Sequence, residues 1–192
     1  MKKYIKVIVL SIVCIGIIVG YYYYLTYRDK KDIENSTELT KVGEVLAKDL
    51  KKDYPPTPRE VIKFYDKILK CYYNEEYEQE ELEEMADQAR LLMDEELLKK
   101  NPKDQYMLML EADIKDYKDN ERKLVDTTVC DSKEVEYKKV DGRECAYVVS
   151  KYFIREGNTY SNTSQKYVLR KDEDGNWKIL GFKMVEGESS DD

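Results

Sequence analysis

The chain is 192 residues long, with 40 acidic against 33 basic side chains, a formal net charge of −7 and no histidine. The excess of negative charge repels polyanions and argues against nucleic-acid binding. The lack of histidine removes the usual general base near neutral pH and the commonest metal ligand.

Lys2, Lys3 and Lys6 precede an uncharged run from Val7 to Leu25, and Arg28 is the first basic residue beyond it. A helix over that run would be about 28 Å long, close to the hydrocarbon thickness of a bilayer. Tyr21, Tyr22, Tyr23, Tyr24 and Tyr27 crowd its C-terminal end, where rings carrying hydroxyls suit the headgroup layer. The pattern predicts a single-pass membrane anchor over residues 1–27, with the N-terminus cytoplasmic and the remainder extracytoplasmic. A cleaved signal peptide is the rival reading, weakened because bulky tyrosines, not small residues, follow Gly20. Lipid attachment at Cys14 is weakened by the large Val13 before it. A short charged stalk over 28–35, one domain over 36–187 and a disordered acidic tail over 188–192 complete the expected organisation.

Leu39, Val42, Val45, Leu46 and Leu50 recur at helical spacing and predict a first helix from Thr37 to Lys52, ended by Tyr54-Pro55-Pro56. Thr57 is placed to cap the next helix, with Pro58 at the first helical position and Glu60 completing a capping box. Val61, Ile62, Phe64, Tyr65, Ile68, Leu69 and Tyr72 form its apolar face. An acidic helix is expected from Glu80 to Lys99, burying Leu82, Met85, Ala86, Ala89, Leu92 and Met93; its carboxylates fan outward as a solvated face. Asn101-Pro102 opens a further helix presenting Tyr106, Met107, Leu110, Ile114 and Tyr117.

After Leu124 the apolar period changes to two. Strands are expected over Val125–Val129, Val135–Val140, Glu144–Arg155, Tyr160–Arg170 and Trp177–Val185. Asp141-Gly142, Glu156-Gly157-Asn158 and Asp174-Gly175 supply turns between the later strands. Helices followed by a meander of strands predict an α+β fold in which the helices cover one face of an antiparallel sheet. Within the third strand Cys145, Tyr147, Val149 and Phe153 alternate with Ala146, Val148, Tyr152 and Ile154, so both faces are apolar. Either a homodimer or another envelope protein covers the second face, or the strand is central to a curled sheet.

Asp172, Asp174 and Asn176 follow the first three ligand positions of an EF-hand. Trp177 stands where that loop needs glycine, however, and Lys183 where it needs glutamate, so a hairpin turn is the better reading. Trp177, Ile179, Tyr147 and Tyr152 are read as ordinary sheet residues in preference to a cavity lining. Cys71, Cys130 and Cys145 are read as thiols packing as small hydrophobes, with Cys130–Cys145 the pair that a single bridge would join. No catalytic, cofactor-binding or metal-ligating residue is assigned, and no cofactor is expected.

The ending "YVLRKDEDGNWKILGFKMV" resembles the last hairpin of NTF2-like domains. The stretch "YPPTPREVIKFYDKILKCYYNEEYEQEELEEMADQARLLMDEELL", with "VCDSKEVEYKKVDGREC" and that ending, resembles a family of uncharacterised single-anchor membrane proteins from clostridial-type Gram-positive anaerobes. The resemblance covers Lys51 to Val185. It implies an NTF2-like or cystatin-like cone, a curved antiparallel sheet wrapped around helices, and transfers no catalytic residue. The expected function is therefore a membrane-tethered, non-catalytic binding or interaction domain at the cell envelope. The alternative is a small cone-pocket isomerase, cyclase or hydrolase using a buried carboxylate as base.

Overall fold

A computed structural model describes residues 39–185 of the chain. The expected anchor (1–27), stalk (28–35) and acidic tail (188–192) lie outside the described residues.

Helix α1, Lys41–Leu46, buries Val42 and Val45. It is shorter than its periodicity predicts because the Asp49 carbonyl takes hydrogen bonds from the Lys52 and Asp53 N–H groups at 3.1 and 2.9 Å. The Asp49 carboxylate also accepts from the Lys51 N–H at 3.0 Å. A short polar side chain thus offers the backbone a tight turn in place of a helix, and Leu50 still reaches the core.

Helix α2, Pro58–Asn74, starts as its sequence requires: the Thr57 hydroxyl accepts from the Glu60 N–H, and Pro58 stands where its missing donor costs nothing. Glu60 returns to the Thr57 hydroxyl at 3.2 Å, so this contact joins two side chains. The helix buries the expected apolar face except for Leu69, which is half-buried, and adds an unexpected Asp66.

The long acidic helix is in fact two. Helix α3, Gln79–Leu91, is followed by a kink and by helix α4, Glu95–Lys100. At the kink Met93 forms a parallel bridge with Ile179. The Asp94 N–H donates to the Ile179 carbonyl, and the Ile179 N–H to the Leu92 carbonyl, both at 2.8 Å. Backbone groups that a continuous helix would use internally are therefore spent on the sheet, and Asp94 restarts the chain by accepting from the Glu96 N–H at 2.9 Å. Helix α5, Lys103–Asp119, buries only Leu110 and Ile114.

Five strands follow, β1 (Arg122–Val129), β2 (Glu136–Val140), β3 (Arg143–Glu156), β4 (Thr159–Lys171) and β5 (Trp177–Val185). All pairs are antiparallel, in the order β1-β3-β4-β5, and β2 lies beyond β1 along the same side of β3. Asp141 and Gly142, at φ 48° and 79°, make the two-residue turn joining β2 to β3. A bulge in β5 skips Leu180, so that Ile179 pairs Leu169 while Gly181 pairs Val168. Its effect is to put Trp177, Ile179, Phe182 and Met184 on one face, opposite Lys171, Leu169, Tyr167 and Gln165. The helices cover that face only in part: Trp177 and Ile179 are buried, whereas Phe182 and Met184 are 55% and 62% exposed.

The α+β layout and all five strands agree with the sequence, but the expected cone does not form. β1 and β5 are the free edges of an open sheet and do not pair with one another, so the sheet is not curled closed around the helices. The NTF2-like or cystatin-like assignment is corrected on that ground. Among the described residues no helix is long and apolar enough to cross a membrane. The single-pass, membrane-tethered, extracytoplasmic reading finds no spanning helix among the described residues and is not carried further; the segment it rests on, 1–27, lies outside them.

A homodimer or envelope-protein partner on the outer sheet face loses its motive as well. Tyr147 lies beneath the ammonium groups of Lys138 and Lys166, at 5.1 and 5.2 Å from its ring centre. Cys145 is buried and Lys151 exposed, and the large apolar side chains left exposed there, Phe153, Tyr160, Val140 and Val185, lie toward the strand ends. The chain's own lysines thus cover the ring that seemed to need a partner.

Candidate functional site

A buried polar chain runs from α2 across the sheet. Asp66, 1% exposed, accepts from the Ser150 hydroxyl at 2.7 Å, and its other oxygen lies 2.8 Å from the Tyr152 hydroxyl. The Tyr152 and Tyr167 hydroxyls are 2.6 Å apart, and Tyr167 reaches the Gln165 carboxamide oxygen at 2.7 Å. Register explains the convergence: Ser150 pairs Gln165 and Val148 pairs Tyr167, so alternate residues of β3 and β4 face α2 together. Burial pushes the Asp66 carboxyl up to about 6, against the pull of the Ser150 and Tyr152 hydrogen bonds and the Lys70 charge.

Proton counting fixes the direction of this chain. An ionised Asp66 takes the Tyr152 proton, so Tyr167 must donate back to Tyr152 and has nothing left for Gln165. A protonated Asp66 donates to Tyr152, which passes the direction on through Tyr167 to the Gln165 oxygen.

Gln165 stands at the edge of a cleft of about 660 Å³ between α2, α5 and the uncovered end of β4 and β5. Tyr65, Leu69, Tyr72 and Tyr73 come from α2, Tyr106, Met109, Leu110 and Asp113 from α5, and Tyr167 and Phe182 from the sheet. A recess of about 250 Å³ adjoins it, sharing Leu69, Tyr73, Asp113 and Gln165. The Tyr73 hydroxyl donates to Asp113, and its ring stacks on Tyr117 at 3.9 Å, which ties α5 to α2. Met109 and Phe182 are 60% and 55% exposed and make apolar lips on opposite sides.

One polar atom in the wall lacks a partner. Tyr72 is fully buried, and its hydroxyl makes no hydrogen bond of acceptable geometry. Tyr106 is its polar neighbour, and burial, with that neighbour, holds the Tyr72 phenol far above its ordinary value.

Helix α4, which contributes Leu97 to the cleft, is held by a clamp. Arg170 donates to both oxygens of Asp94, at 3.0 and 2.5 Å, and to Glu96 at 2.8 Å. Burial raises the Asp94 carboxyl, but the Arg170 hydrogen bonds and the Glu96 N–H outweigh it and leave the group below the usual carboxylate range.

The residues weighed from sequence fall elsewhere. Asp172, Asp174 and Asn176 form the β4–β5 turn, in which the Asp172 carboxylate accepts from the Asn176 N–H at 2.8 Å. Trp177 and Ile179 are core, and Tyr147 faces the opposite side of the sheet. Tyr152 touches only the smaller recess. Cys71, Cys130 and Cys145 are free thiols. The buried carboxylate that a cone-pocket enzyme would need exists as Asp66. It is sealed in the core behind the cleft and does not line it, so that catalytic reading is set aside.

A family model described as a domain of unknown function, DUF6715, matches residues 1–182, and the chain belongs to that family. No curated protein matches it. The resemblance to single-anchor proteins with an NTF2-like domain is corrected accordingly: the family shown carries no assigned function, and the open sheet is not such a cone.

Proposed function

We propose that this member of a family with no assigned activity is a receptor for a small organic molecule, held in the tyrosine-lined cleft between α2, α5 and the β4–β5 end of the sheet. The observation that carries the reading is the cleft itself, walled by the Tyr73 and Tyr106 rings and bounded by the exposed Met109 and Phe182 side chains, an apolar surface that the protein's own packing leaves uncovered. The cleft volume lies within the range of drug-sized ligand sites, and its surface follows their usual pattern of apolar walls with a few convergent polar groups.

The test uses the full chain and N-phenyl-1-naphthylamine, a neutral aromatic amphiphile whose fluorescence rises in apolar sites. The expected result is saturable one-to-one binding that Met109→Glu and Phe182→Glu each weaken by about tenfold or more. Both positions are well exposed, so the folded state tolerates the change. Absence of saturable binding, or binding that ignores both substitutions, overturns the reading.

A further inference from the structure

Outside the cleft, several rings are capped by the protein's own cations, while among the described residues Tyr137, Phe153 and Tyr160 stand exposed without one. Lys178 lies 4.1 Å from the Tyr54 ring centre, Lys171 5.1 Å from Trp177 and Lys118 5.6 Å from Tyr77. Tyr147 is covered by two lysines. In the cleft most rings are likewise uncapped. Among the described residues Tyr65, Tyr72, Tyr73, Tyr167 and Phe182 have no cation over their faces; Tyr106 alone has one, Arg90, at 5.4 Å.

The charges lining the cleft are equally one-sided. Asp113 and Asp116 belong to its wall, and no lysine or arginine does. Asp116 is neutralised by Arg122 at 2.7 Å. Asp113 has only the Tyr73 hydroxyl on one oxygen and no basic partner among the described residues. An exposed carboxylate without a counter-ion, beside the Tyr73 and Phe182 rings, gives the cleft a negative lining and no positive one. The negative faces of the rings and the negative oxygen both call for positive charge. The formal charge of −7 on the whole chain adds an attractive field of the same sign.

We propose that the ligand of this cleft is a small organic ammonium ion with an apolar body, its cation placed among the tyrosine rings beside Asp113 and its body against Met109 and Phe182. This rests on the reading of the cleft as a ligand site and narrows it. An anion is rejected because no basic group lines the cavity. A metal ion is a poor occupant, since Asp113 is the single unneutralised carboxylate and the remaining wall is apolar or phenolic.

The experiment separates this inference from the broader one. Benzyltrimethylammonium, its uncharged carbon isostere neopentylbenzene and benzenesulfonate are titrated into the full chain, followed by chemical shifts of the methionine methyl groups. The cation is expected to bind about tenfold more tightly than the isostere, and the sulfonate not at all. Asp113→Asn is expected to shrink the advantage of the cation about fivefold, and raising the salt to shrink it further.

If isostere and cation bind equally, or Asp113→Asn leaves their ratio unchanged, the cationic assignment fails while the cleft stands as an apolar site. If no compound of the series shifts the Met109 methyl group, the cleft reading fails together with it.

Discussion

Stability should fall as the pH rises through about 6, and Asp66 should be the cause. The folded carboxyl titrates near 6 against an ordinary value of 3.8. A raised acid binds its proton more tightly when folded. Its contribution is therefore complete below about pH 4, where both states are protonated, and is lost as the pH climbs through 6. A difference of about two units corresponds to about 3 kcal/mol, of which about 2 kcal/mol should be lost between pH 4.5 and 7.5. Urea unfolding of the full chain, followed through the single tryptophan, Trp177, supplies the measurement. Other groups titrate over the same range, so the useful quantity is the difference between wild type and Asp66→Asn. The asparagine carboxamide retains a donor toward Tyr152, keeps the direction of the acid form and cannot ionise. Wild type should lose about 2 kcal/mol relative to the variant across that window. Parallel curves would refute the reasoning. So would a wild type that gains on the variant, since Ser150 and Tyr152 would then hold the carboxylate ionised against its burial.

The Arg170 clamp predicts the opposite pH dependence. Arg170→Met leaves the 3%-exposed Asp94 without its counter-ion and should cost about 3 kcal/mol at neutral pH, shrinking as acid protonates Asp94, again by urea unfolding. At Tyr72 the missing partner makes a different forecast: Tyr72→Phe should leave the free protein equally stable or stabilise it by about 1 kcal/mol. The same change at Tyr167, whose hydroxyl is bonded on both sides, should destabilise by about 1–2 kcal/mol in the same assay.

What the sequence made legible was local. Thr57, Pro58 and Glu60 start α2 with groups no more than three residues apart, and Asp141-Gly142 turns β2 into β3 through its own backbone preferences. Where a distant strand decides, the same reasoning fails. Leu91 to Leu98 is compatible with one uninterrupted helix, yet the chain kinks because Ile179, some 85 residues on, takes the backbone bonds of Leu92 and Asp94. Asp94 was a local cue, being a good cap set in the middle of an apolar stripe. Asp66 was another, standing four residues after Ile62 and three before Leu69, on the face that had to be buried.

The cleft left a subtler trace. Met107, Leu108, Met109 and Leu110 are consecutive, and at 100° per residue they cannot all face one core. In β5, likewise, Phe182 and Met184 continue a row already completed by Trp177 and Ile179 once the bulge has realigned it. Both elements carry more apolar surface than the core consumes, and both leave it exposed at the two lips of one cavity. Neither excess has meaning alone, because a single exposed Met or Phe is ordinary. Their meeting across a cavity lined by Tyr72 and Asp113 depends on the bulge, the α3–α4 kink and the Tyr73–Asp113 tie acting together. The site therefore lies in the sequence as surplus hydrophobicity on two elements, and only their packing turns that surplus into a binding surface.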